Sequence, residues 1–174
     1  MQWLAATPET WAEAQRIAAA RNNAKSPHIR VMDSGYHANP DRAFPHVIGV
    51  LGEMAIARLM GWSVDTRIMR HGDDSDFHGV EVKTSLWTGP DIDLKIKCSE
   101  YDRKRPRAYV LCRAQPSPPK VRPEGFITRR DFECVRVRKN YGYQDNWIVP
   151  VRNMTAIESV ERLLALLGAL REAA

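Results

Sequence analysis

The sequence predicts an α/β fold, with a mixed central sheet flanked by helices, on three observations. Apolar residues recur at helical spacing in two early segments: Trp11, Ala14, Ile17 and Ala18, then Val47, Ile48, Leu51, Ala55, Leu59 and Met60. Residues 80–84 alternate apolar and polar with a period of two, and Ala108-Tyr109-Val110-Leu111-Cys112 is the most apolar short run, as a buried central strand requires. A last helical stripe follows near the end, at Ile157, Val160, Leu163, Leu164 and Leu167.

Taken in order, Thr7-Pro8-Glu9 is a helix start, with Thr7 as N-cap and Pro8 at the first helical position, and the helix runs to about Ala24. Residues 25–45 lack periodicity and are punctuated by prolines, which predicts a long connection. A second helix spans about Pro45 to Met60 and stops at Gly61. Strands are expected at Trp62 to Met69, at 80–84, at Asp91 to Ile96 after a turn at Thr88-Gly89-Pro90, and at 108–112. The proline-rich segment Gln115 to Pro123 reads as a surface loop, and Thr128 caps a short helix through Phe132. Late strands at Val135 to Val137 and Trp147 to Val149 precede a helix from about Thr155 to Leu170. With no repeat and no linker, residues 1–174 form one domain: an N-terminal helix and loop (1–44), a core (45–150) and a C-terminal helix (151–174).

The stretch 72–85, Gly-Asp-Asp-Ser-Asp-Phe-His-Gly-Val-Glu-Val-Lys-Thr-Ser, carries the chemistry. A tight turn at His78-Gly79 leads into a strand whose Val80 and Val82 face a core, which leaves Glu81 and Lys83 side by side on the opposite surface. Asp76 brings a second carboxylate to the same place. Two carboxylates beside a lysine make a hard-oxygen site for Mg²⁺ or Mn²⁺. The ordinary alternative is a surface ion pair: of the seven lysines, three end an acid-x-Lys triple, and Asp93-Leu94-Lys95 competes with Glu81-Val82-Lys83. Asp102-Arg103-Lys104 lies in a polar run that reads as a solvated loop. In the second helix, Gly49 and Gly52 ask for a packing reason and could bring Glu53 to the carboxylates.

The order of a Gly-Glu-x-Ala helix, a strand, Asp-apolar, a turn, Glu-Val-Lys-Thr-Ser and an apolar strand resembles the PD-(D/E)XK nuclease superfamily, particularly its small phage-type and resolvase-like members. The resemblance covers about Gly49 to Arg113. It implies a restriction-endonuclease-like core and a Mg²⁺- or Mn²⁺-dependent endodeoxyribonuclease. Asp76, Glu81 and Lys83 resemble the motif's two acids and lysine, and Glu53 resembles its helix glutamate. The implied metal ligands are Asp76, Glu81 and the Val82 carbonyl. Ser75 stands where the family has proline, and only five positions separate Asp76 from Glu81, so Asp73 or Asp74 could supply the first acid. These departures keep open a catalytically inactive nuclease-like fold that binds nucleic acid or a protein partner.

A net charge of +5, with 19 arginines to 7 lysines, suits a polyanion. Two basic clusters would hold it. One is Arg103, Lys104, Arg105 and Arg107; the other is Arg129, Arg130, Arg136, Arg138 and Lys139, with Tyr141 and Tyr143 nearby. DNA is the expected partner, RNA is left open, and so is a homodimer; no membrane is expected. Three cysteines without metal or CxxC spacing and the lack of a signal-peptide pattern read as a cytoplasmic protein. No glycine-rich phosphate loop, HExxH or G-x-S-x-G sequence supports an NTPase, zinc protease or serine hydrolase.

Overall fold

A computed structural model describes residues 1–23, 40–64, 66, 75–77, 79–86, 88–142 and 144–172. Their elements are β1 (Leu4–Ala5), α1 (Pro8–Asn23), α2 (Pro40–Met60), β2 (Val80–Ser85), β3 (Asp93–Lys97), α3 (Cys98–Arg103), β4 (Ala108–Pro116) and β5 (Pro119–Thr128). Then come α4 (Arg129–Val135), β6 (Val137–Asn140), β7 (Asp145–Pro150), a 3₁₀ turn (Val151–Asn153), β8 (Thr155–Ala156) and α5 (Val160–Glu172). The fold is α/β. Its larger sheet has the order β1-β5-β4-β2, with β8 also on β5. It is mixed: β2 runs parallel to β4, while β4 and β5 are antiparallel. A smaller antiparallel sheet has the order β3-β7-β6.

Both faces of the larger sheet are covered. On one, Val80, Val82 and Val110 pack with Ile17 of α1, Ile48, Leu51 and Ile56 of α2, and Leu163 and Leu167 of α5. On the other, Tyr109 and Leu111 pack with Leu94 and Ile96 of β3, Tyr101 of α3, Phe132 of α4 and Val149 of β7. Each such side chain contributes about 1.5–3 kcal/mol when fully buried. The second layer corrects one expectation. Glu81 and Lys83 do turn away from the valines, but they point to the margin of a second core, and Glu81 is only 2 % exposed.

The helix ends follow local chemistry. Thr7 Oγ1 accepts the Thr10 N–H at 3.2 Å, capping α1. Gly61, at φ 64°, ends α2 while the Trp62 N–H reaches back to the Ala57 carbonyl at 2.8 Å. Within α2 the two glycines differ. A Cβ at Gly52 would stand 1.9 Å from Thr84 Oγ1, so the helix rests on β2 at that point; a Cβ at Gly49 meets nothing within 4 Å. We therefore expect Gly52→Ala to lower stability by about 2 kcal/mol through forced separation of helix and strand. Gly49→Ala should raise it by up to about 1 kcal/mol. Urea unfolding of both variants checks the contrast.

Several boundaries differ from the sequence reading. Helix α2 begins at Pro40, and Pro45 lies inside it, where it lacks the N–H that would bond four residues back. Residues 62–64 and 66 are not strand, and the rest of that predicted strand falls outside the described residues. The proline-rich segment is a β4–β5 hairpin, not a loop. Pro116 and Pro119 flank its turn, and Pro123, opposite Cys112, adjoins the bulge where the pairing steps from Leu111↔Gly125 to Cys112↔Pro123, a position at which a strand tolerates a missing donor. Ser99–Arg107 is not a solvated loop: it contains most of α3, with Tyr101 buried. Val135 ends α4, and Val137 opens β6. Residues 155–156 form β8 on β5, and Leu164 is 43 % exposed because α5 turns Leu163 and Leu167 inward instead. No helix among the described residues is long and apolar enough to cross a membrane. Cys98, Cys112 and Cys134 are free thiols.

Candidate active site

The site is assembled by the turn before β2. Phe77 and Val80 exchange both backbone hydrogen bonds, at 2.9 and 2.5 Å, and Gly79 takes a φ of 85° that an L side chain rarely adopts. The Ser75 hydroxyl accepts the Gly79 N–H at 2.9 Å. The Gly79 carbonyl in turn accepts the Arg107 N–H at 2.6 Å, which ties the turn to the start of β4. Asp76 is thereby folded back along the strand, where its Oδ2 accepts the Val82 N–H at 2.8 Å. It is 7 % exposed.

That bond fixes a further donor. In a strand the N–H and C=O of one residue point to the same side. Among the described strands β2 pairs only with β4, so the Val82 carbonyl shares the outer edge with the Asp76 carboxylate. Glu81 and Lys83 project from the sheet face beside Tyr109 and Leu111, their register partners.

Four charges close a ring on that face. Glu81 Oε1 accepts from Lys83 Nζ at 2.9 Å and from Lys104 Nζ at 2.7 Å. Glu100 Oε1 accepts from Lys83 at 2.6 Å and lies 3.4 Å from Lys104. The short helix α3 supplies Glu100, and Lys104 caps it four residues on. Burial disfavours the Lys83 ammonium, but the carboxylates of Glu81, Glu100 and Asp76 outweigh it and raise the pKa above the ordinary lysine value. Burial likewise works against the Glu100 carboxylate, and Lys83 and Lys104 overcome it, holding the pKa at about 2. Glu81 behaves differently. Burial raises its pKa, the nearby Asp76 charge adds to the effect, and Lys83 and Lys104 only partly offset it. The negative charge of Glu81 is the one the ring leaves under-compensated.

Its second oxygen shows the same deficit. Glu81 Oε2 is buried and makes no hydrogen bond among the described residues, and neither does the hydroxyl of Tyr109 on the adjacent strand. A buried carboxylate oxygen without a partner is costly unless a cation or donor meets it. Two carboxylates, Asp76 and Glu81 with its unpaired Oε2, and one backbone carbonyl are hard donors that suit Mg²⁺ or Mn²⁺. Among the described residues no three acidic, histidine or cysteine side chains gather as a ligand set, so the carbonyl is a required member of the candidate site.

Other predicted residues fall elsewhere. Glu53 lies on the α2 side of β2, 7 % exposed, and forms a two-pronged ion pair with Arg21 of α1 at 2.8 and 2.8 Å. It borders a recess with Val82, Lys83 and Thr84. Asp93 and Lys95 share a cleft of about 280 Å³ with Lys83. Arg103, Arg105 and Arg130 are exposed, whereas Arg107 packs against Gly79. Arg129 and Arg136 stack on Tyr101 at 4.2 and 4.3 Å, and Arg136 also stacks on Trp147 at 4.0 Å. Lys104 belongs to the charge ring more than to an open basic surface. Asp73, Asp74, His78 and Tyr143 lie outside the described residues. Sequence reasoning missed Glu100 and the ring role of Lys104; the i, i+4 Glu-Lys spacing in Glu100-Tyr101-Asp102-Arg103-Lys104 was the available signal.

Comparison with protein-family models, with curated proteins and with solved structures gives no match to this chain.

Proposed function

We propose that the protein is a divalent-cation-dependent endonuclease that hydrolyses DNA phosphodiester bonds, with an α/β frame of the restriction-endonuclease type. One observation carries this reading: a buried glutamate, Glu81, has one oxygen held by two lysines and the other unpaired, on an edge strand next to Asp76. Asp76, Glu81 and the Val82 carbonyl would hold Mg²⁺ or Mn²⁺. The bound ion would neutralise charge on the phosphate and acidify a coordinated water. Lys83, bonded to Glu81 and Glu100, would supply a positive group for the phosphoryl oxygens or for orienting the attacking water. Glu53, paired with Arg21 on the α2 side of the same strand, supports that edge from behind. Exposed Arg103, Arg105 and Arg130 would contact the backbone without reading sequence. A cytoplasmic location accords with the free cysteines.

A second reading, an inactive nuclease-like fold that binds nucleic acid or a protein partner, is favoured by the completeness of the ring: both lysines already have carboxylate partners. Supercoiled plasmid incubated with pure protein and Mg²⁺ or Mn²⁺, against an EDTA control, separates the two. The nuclease reading expects nicking or linearisation that EDTA abolishes. Intact plasmid at every cation tested leaves the binding reading.

A further inference from the structure

We propose that Lys104 is a built-in antagonist of the metal site: its ammonium on Glu81 Oε1 opposes the binding of a divalent ion at the neighbouring Oε2. The inference rests on Glu81 being a metal ligand and concerns how access to that ligand is controlled.

The two lysines on Glu81 are not equivalent. Lys83 stands two residues along the same strand and bridges Glu81 to Glu100, at 2.9 and 2.6 Å. Lys104 arrives from a separate element. Its backbone is fixed, with its N–H on the Glu100 carbonyl at 2.7 Å and its own carbonyl accepting from Arg129 at 3.2 Å. Its side chain is 18 % exposed at the rim, so the ammonium can move while the backbone stays. An alternative partner is already in reach: Glu100 Oε1 lies 3.4 Å from Lys104 Nζ. Shifting from Glu81 to Glu100 exchanges one ion pair for another instead of leaving a charge unpaired.

Charge balance gives the direction of the effect. Lys83 and Lys104 already bring two ammonium groups to Glu81 and Glu100, and a divalent ion on Glu81 would add two further positive charges beside them. Removing Lys104 takes away the nearer mobile one of those charges. Lys104 therefore opposes binding by drawing charge from Glu81 through Oε1 and by repelling the ion. Repulsion between a divalent ion and an ammonium a few ångströms away is large enough, even at the effective dielectric of a protein rim, to predict at least about tenfold tighter binding when the ammonium is removed.

The test is calorimetric titration of Mn²⁺ into the intact chain and into Lys104→Met, with Lys104→Gln as a second variant that keeps a donor near Glu81 should the first fold poorly. Lys97→Met removes an equal charge at an exposed site and controls for net charge. The expected result is at least about tenfold tighter Mn²⁺ binding in both Lys104 variants. Lys97→Met should change affinity by less than about twofold, as a screened surface charge does. The gain should also vanish in the Lys104→Met, Glu81→Gln double variant. Parent binding with no gain in the Lys104 variants overturns the proposal and leaves the metal site standing. So does a gain that survives Glu81→Gln or is matched by Lys97→Met. Absence of Mn²⁺ binding in the parent and in every variant overturns the metal-site reading itself, and this proposal with it.

Discussion

Glu81→Gln is expected to lower plasmid cleavage by at least about a thousandfold, the scale of the several kcal/mol that a bound metal supplies. The fold should survive. Burial already drives the Glu81 carboxyl toward its neutral form, so an amide of the same shape carries less desolvation cost than the carboxylate. Its carbonyl oxygen can still accept from Lys83 and Lys104. The pair of measurements is cleavage rate and urea unfolding. Parent-level cleavage would remove Glu81 from the reaction, and an unfolded variant would make it a structural ion-pair member.

Lys83→Ala is expected to remove both activity and stability. From the strand alternation alone this variant should keep its fold, because Lys83 faces away from the valine core. The second layer changes that expectation. Lys83 Nζ bridges Glu81 and Glu100, its side chain is only 24 % exposed, and those carboxylates are 3 % and 18 % exposed. Removing the ammonium leaves two nearly buried carboxylates facing each other, with Lys104 alone between them. Breaking one partner of a buried pair costs about 3–5 kcal/mol, and the residual exposure places this case near the lower end, about 3 kcal/mol. Urea unfolding at neutral pH reads it directly. A loss below about 0.5 kcal/mol would mean the ring behaves as a surface ion pair.

What the sequence revealed and what it hid divide along one physical line. Local chemistry was legible: the period of Val80 to Thr84, the turn glycine at 79, the Thr7 and Thr128 caps and the stop at Gly61 all depend on neighbours within a few residues. The β4 core strand was also visible, since its apolar run needs no partner to be recognised. The ring was not, because Glu100 and Lys104 lie 17 and 23 positions from the residues they bind. Their short helix turns only Tyr101 fully inward, so its composition is that of a loop. Prolines concealed the β4–β5 hairpin for a similar reason. Their harmless positions, beside the turn and at a bulge, are defined by pairing with the other strand and not by the residues themselves. The bond from the Val82 N–H to Asp76, which draws that carboxylate to the strand edge, depends on how the turn folds back.

The central claim is that Asp76, Glu81 and the Val82 carbonyl form one divalent-cation site on the edge of β2. Anomalous scattering from crystals grown with Mn²⁺ tests it most directly. The expected result is a single strong peak at Glu81 Oε2, shared with Asp76 and the Val82 carbonyl and absent from Glu81→Gln crystals. No peak at that place at a Mn²⁺ concentration that occupies other sites, with Glu81 still held by both lysines, would contradict it.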